Sequence, residues 1–111
     1  MKLKMHGPAI EWTKENRQHA ETRLRFALSR FGQHIGLVTV RILALNGTRT
    51  AISKTCRIVV NLLPMGRITV EQTQPDLLSA LDYAADRAGR AVRRELDRVK
   101  GSGPGFPNSP S

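Results

Sequence analysis

Residues 2 to 6 alternate basic and apolar side chains, Lys-Leu-Lys-Met-His, the period of a half-buried strand, and Gly7-Pro8 ends the run. Thr13 then offers its hydroxyl as a helix N-cap. Beyond it Ala20, Leu24, Ala27, Leu28 and Phe31 recur at spacings of three and four until Gly32 supplies a C′ residue, which predicts a helix over 13–31. Leu37 to Leu45 is a strand by its β-branched content, and the Asn46-Gly47 that follows is a hairpin-turn signal. Cys56 to Leu63 makes a third strand, Pro64-Met65-Gly66 turns the chain, and Arg67 to Glu71 alternates as a fourth. The last helix opens at Thr73 or Gln74, with Pro75 in its first turn and Asp76 as capping partner, and runs to about Lys100 before Gly101 ends it.

This order, β-α-β-β-β-α, is an α+β pattern. Both helices are amphipathic and four strands can form one sheet, so the simplest architecture sets two helices on one sheet face. A chain of 111 residues with 40% apolar content allows one domain, over residues 1–100. Residues 101–111 hold three glycines, three prolines and no charge, and are expected to be a flexible tail. The strands carry apolar residues on both parities. Leu43, Val59 and Leu63 would fall on the outer face, where they are either extra apolar residues of a central strand or a surface for self-association.

Charge changes the picture most. Eighteen Lys and Arg stand against nine Asp and Glu, a formal net charge of +9, which favours a polyanion, nucleic acid or an anionic membrane. On the last helix Arg87, Arg90, Arg94 and Arg98 fall in one narrow stripe, facing away from Leu81, Ala85, Ala88, Val92, Leu96 and Val99. The guanidinium fork grips phosphate oxygens in pairs, where lysine offers a point charge. On the first helix Arg23 and Arg30 lie on one flank of the apolar stripe, Lys14 and Arg25 on the other. Arginine kept for solubility and for pairing, as Asp86 with Arg90 and Asp97 beside Arg98, is the competing account; six bases against three acids over 86–100 weigh against it. Aromatic residues are too few for a base-reading sheet, so backbone and shape recognition is favoured. Phe26 projects away from its helix's apolar stripe and is either a surface accident or a contact residue.

Other chemistry finds little footing. Cys56 is the only cysteine, so neither an intramolecular disulfide nor a cysteine zinc site can form, and within its β-branched run it reads as a small buried hydrophobe. His6, His19 and His34 lie in different elements without metal-ligand spacing, and there is no glycine-rich nucleotide loop; no metal, cofactor or catalysis is expected. No signal-length apolar run opens the chain and no eighteen apolar residues run together, so the expected place is the cytoplasm, with no membrane.

Three stretches resemble the ribosome hibernation-promoting factors, also called ribosome-associated inhibitor or sigma-factor modulation proteins. Glu11-Trp12-Thr13 with Arg17-Gln18-His19 and Arg23-Leu24 is similar to that family's strand-to-helix junction and first helix. Asp76-Leu77-Leu78-Ser79-Ala80-Leu81-Asp82 is similar to its Asp-Met-Tyr-Ala-Ala-Ile-Asp, and Arg87, Arg90, Arg93 and Arg94 fall where it carries Lys or Arg. Leu78 replaces the usual tyrosine, and Phe26 and Ser29 stand where charge is common. The resemblance implies a fold related to double-stranded RNA-binding domains. It also implies docking on the small ribosomal subunit, with the basic helices on ribosomal RNA and the mRNA and tRNA sites blocked by occupancy while the ribosome is stored. The form expected is the short one, without the second domain of long members. RNA contacts carried over are Arg23, Arg87, Arg90, Arg93 and Arg94; the helical pattern adds Arg98, Lys14 and Arg30. The alternatives are a degenerate member acting as a protein-interaction module and a binder of RNA duplexes outside the ribosome.

Overall fold

In the computed structural model, which describes residues 1–44 and 53–101, the chain forms β1 (Lys2–His6), α1 (Lys14–Leu28), a 3-10 segment (Ser29–His34), β2 (Ile35–Ala44), β3 (Lys54–Leu62), β4 (Arg67–Gln74) and α2 (Leu77–Gly101). The strands lie in the order β1-β2-β3-β4, with β1 parallel to β2 and the other pairs antiparallel. The expected Asn46-Gly47 turn and the tail beyond Gly101 lie outside the described residues.

Register explains the two layers. Met5 stands opposite Val40, Val40 opposite Ile58, and Ile58 opposite Val70, so one parity from every strand forms a continuous apolar row on the inner face. Against that face pack Ala20, Leu24 and Leu28 of α1 and Leu81, Ala88 and Val92 of α2, all buried with the strand residues in one core. Each fully buried aliphatic side chain contributes about 1.5–3 kcal/mol relative to exposure. The outer parity stays partly open to water. Leu43 and Val59 are half-buried there, and the Arg41–Arg57 pair lies between their rows, while Leu63 follows the end of β3 at the rim, 47% exposed.

Local chemistry sets the element ends. Thr13 Oγ1 accepts the Asn16 N–H at 3.0 Å as the α1 N-cap, and buried Trp12 donates from Nε1 to the His6 carbonyl at 2.8 Å, tying β1 to the helix it feeds. Gly7, at φ +136°, makes the intervening bend; a Cβ there would lie 2.9 Å from the Ile42 carbonyl oxygen. Three expected boundaries are corrected. Gly32 does not adopt positive φ, so α1 ends at Leu28 and tightens into the 3-10 segment instead of closing on a left-handed glycine. β4 runs on to Gln74, because Thr73 and Gln74 pair with Thr55 and Lys54, and Thr73 is hydrogen-bonded to Thr55 at 2.8 Å, so it is not a cap. α2 therefore starts after Pro75, with Asp76 Oδ2 accepting the Ser79 N–H at 3.1 Å; hydrogen bonding from the Ser79 side chain, and then from its backbone N–H, holds the Asp76 carboxyl below the usual carboxylate range.

The helices come close together where α2 has no side chain. A Cβ on buried Gly89 would stand 3.0 Å from the Ala27 carbonyl oxygen and 3.3 Å from its Cβ. Cys56 is fully buried in β3, and burial pushes its thiol up to about 12. Val99, expected on the buried face, is 55% exposed. The last turns of α2, Glu95 to Val99, lie across from Leu62 to Gly66 at the β3–β4 turn, with Arg30 and Phe31 of the 3-10 segment between them lining the same cavity.

Candidate nucleic-acid interface

Because α1 and α2 touch through Ala27 and Gly89, the side chains flanking that contact line a shallow cleft of about 110 Å³. Arg23 and Phe26 come from α1, Arg30 from the 3-10 segment that follows it, and Asp86 and Arg90 from α2. Three of the arginines expected to contact RNA therefore converge on one groove. Phe26 stands at its mouth, 80% exposed, with the Arg23 guanidinium 6.0 Å from its ring centre. Arg30 is exposed and lies 5.1 Å from the Phe31 ring. Lys14, in the first turn of α1, is exposed but is not in the cleft lining.

The cleft has an anchor that the sequence does not disclose. Asp82 of α2 reaches His19, whose Nε2 lies 2.7 Å from Asp82 Oδ1, and the same oxygen faces Arg23 Nε at 3.2 Å. That Nε is buried and lacks hydrogen-bond alignment, so Arg23 is oriented by charge while its side chain remains 41% exposed. His19 and Asp82 are 63 residues apart, and only the packing of the two helices brings them together. No local spacing could have announced the pair.

Along α2 the row Arg87, Arg90, Arg94 and Arg98 is exposed throughout, but its members are held differently. Arg87 donates from Nη1 to the Glu71 carbonyl at 2.7 Å and to Gln72 Oε1 at 3.2 Å, which fastens it to β4. Arg90 pairs with Asp86 at 3.1 Å, one turn back. Arg98 pairs with Glu95, through Nε at 3.1 Å and Nη2 at 2.5 Å. That hydrogen bond holds the Glu95 carboxyl below its ordinary value and Arg98 above its own. Arg93 and Arg94 are exposed and form no ion pair among the described residues. Exposed pairs one turn apart are worth only about 0–1 kcal/mol, so phosphate can displace the Asp86 carboxylate from Arg90 at small cost. Arg87 gives up a backbone acceptor as well.

Other chemistry is sparse. Among the described residues no group of three or more His, Cys, Asp and Glu could hold a metal ion, and no helix is long and apolar enough to cross a membrane.

A profile of the family described as sigma 54 modulation protein / S30EA ribosomal protein matches residues 3–100. The chain belongs to this family. Its fold is similar to that of solved structures. The Thermus thermophilus Protein Y N-terminal domain is 28% identical, with a TM-score of 0.68 over 86% of this chain and 99% of that one. A ribosomal subunit interface protein from Coxiella burnetii, at 15% identity and the same TM-score over 86% and 98%, shares the fold. No curated protein sequence matches the chain. Family membership covers both helices and all four strands, so every arginine discussed above lies inside the matched region.

Proposed function

We propose that the protein is a ribosome-associated translation inhibitor whose helix face grips small-subunit ribosomal RNA and whose body excludes mRNA and tRNA by occupancy. The observation that carries this reading is the cluster of outward arginines on α2, two of them, Arg93 and Arg94, without a carboxylate partner among the described residues. Membership of the S30EA family supports the ribosome as the place of action, and hence the cytoplasm. The likeness in fold to the Coxiella ribosomal subunit interface protein agrees with that reading. Arg23, Arg30 and Arg90 supply a second cluster across the helix cleft, with Phe26 available to cover a base edge. Arg87, Arg98 and Lys14 complete the proposed contacts. No step of this mechanism is catalytic; it is steric exclusion held by charge.

Co-sedimentation tests it. At low salt the chain should travel with small subunits and monosomes, and Arg93→Glu with Arg94→Glu should release it while leaving the melting temperature within a few degrees. If about four to six arginines each neutralise a phosphate, log affinity should fall with log salt at a slope of roughly −3 to −5. Absence from the ribosomal fractions at low salt would favour a protein-interaction module, and equal affinity for free RNA duplex would favour a non-ribosomal duplex binder. Self-association through the outer sheet face has little apolar surface to support it, since Arg41 and Arg57 separate Leu43 from Val59.

A further inference from the structure

The face of the sheet opposite the helices carries charge for which the fold gives no reason. Its outward positions include Lys2 and Lys4 on β1, Arg41 on β2, Arg57 on β3 and Arg67 on β4, against one outward acid among the described strand residues, Glu71. The register makes this sharper than a count. Arg41 stands directly opposite Arg57 on one side and His6 on the other, so neither cross-strand neighbour of Arg41 is acidic. Glu71 is spent on Arg57, with which it pairs at 2.5 Å. Opposed residues in an antiparallel pair have Cα atoms about 4.5–5.5 Å apart, and like charges so placed destabilise the sheet. Neutral residues suit the same face: Thr39, Thr55, Thr69 and Thr73 all occupy outward positions on it.

We propose that this outer sheet face is a second binding surface for RNA backbone, on the opposite side of the molecule from the helices, so that one chain can lie between two RNA segments. The partner is a polyanion because the row His6, Arg41 and Arg57, with Lys4 in the next row on β1, crosses three strands with a single compensating carboxylate, Glu71, at its end. RNA is favoured over a lipid surface because this face offers no aromatic side chain to insert, and its apolar members Leu37, Leu43 and Val59 are half-buried among polar neighbours. Recognition here would read phosphates, not bases, for the same want of aromatic platforms. This surface does not depend on the helix-face reading, and the two are separated by the following comparison.

Wild type, Lys4→Thr with Arg41→Thr, and Arg93→Ala with Arg94→Ala are titrated over a range of salt against purified small subunits and against a short RNA duplex, using the full chain. The sheet-face pair should lower the log-log salt slope by about two and weaken binding roughly 50-fold at 0.1 M salt, with a melting temperature equal to or above wild type because the like-charge contact is relieved. With duplex in excess, wild type should bind two per chain and either double variant one. Wild-type affinity and slope in the sheet-face variant would overturn the proposal, as would a lowered melting temperature, which would make those cations structural. Loss of binding to phosphatidylserine vesicles with RNA binding intact would also overturn it and assign the face to lipid. Failure of wild type to bind small subunits, with two duplexes still bound per chain, would sink the ribosomal reading and leave this one standing.

Discussion

Arg87 and Arg94 sit two turns apart on the same stripe of α2, yet one is built into the protein and the other is not. The contacts of Arg87 with the Glu71 carbonyl and Gln72 join the helix to the edge strand, so Arg87→Ala should lower stability by about 0.5–1.5 kcal/mol. Arg94 has no such contact, and Arg94→Ala should stay within about 0.5 kcal/mol of wild type. Urea denaturation of the two variants checks this. An equal loss from both would mean that the stripe is structural along its whole length. The same contrast ranks the arginines for RNA: those held only by an exposed carboxylate one turn away, such as Arg90, exchange partners easily.

At the scale of elements, the α1–α2 contact depends on an absent side chain. Gly89→Val would drive a branched side chain into the Ala27 carbonyl, and the helices would have to separate; a loss of about 2 kcal/mol or more is expected in a thermal melt. The cleft formed by Arg23, Arg30 and Arg90 should open with it, so RNA affinity should drop even at temperatures where the variant is folded. Much of this architecture is legible in the chain itself. Parity alone places Val38, Val40 and Ile58 inward, and the three-four spacing of Leu24, Ala27 and Leu28 places α1. What escapes are features decided at long range. Thr73-Gln74-Pro75 reads as a helix opening until β3 is there to pair with it, and β-ladder bonds to Thr55 and Lys54 then outweigh the local capping signal. The basic stripe is equally visible, but whether each arginine is free depends on β4 for Arg87 and on Asp82 of the facing helix for Arg23, neighbours that only folding supplies.

The described residues form two layers, helices on one face of a sheet, and their sealed centre has a practical consequence. Cys56 lies in an inner strand with no solvent exposure, so a thiol reagent can reach it only in molecules whose sheet has come apart. In dilute reagent the labelling rate should follow the population of opened chains, making this one sulfur a clock for unfolding that needs no engineered probe. An RNA held by the folded form alone slows such a clock in proportion to its saturation, roughly 100-fold at a hundred times the dissociation constant. Mass spectrometry of labelled chains, with and without small subunits, would then weigh the grip of the ribosome on a protein carrying no dye.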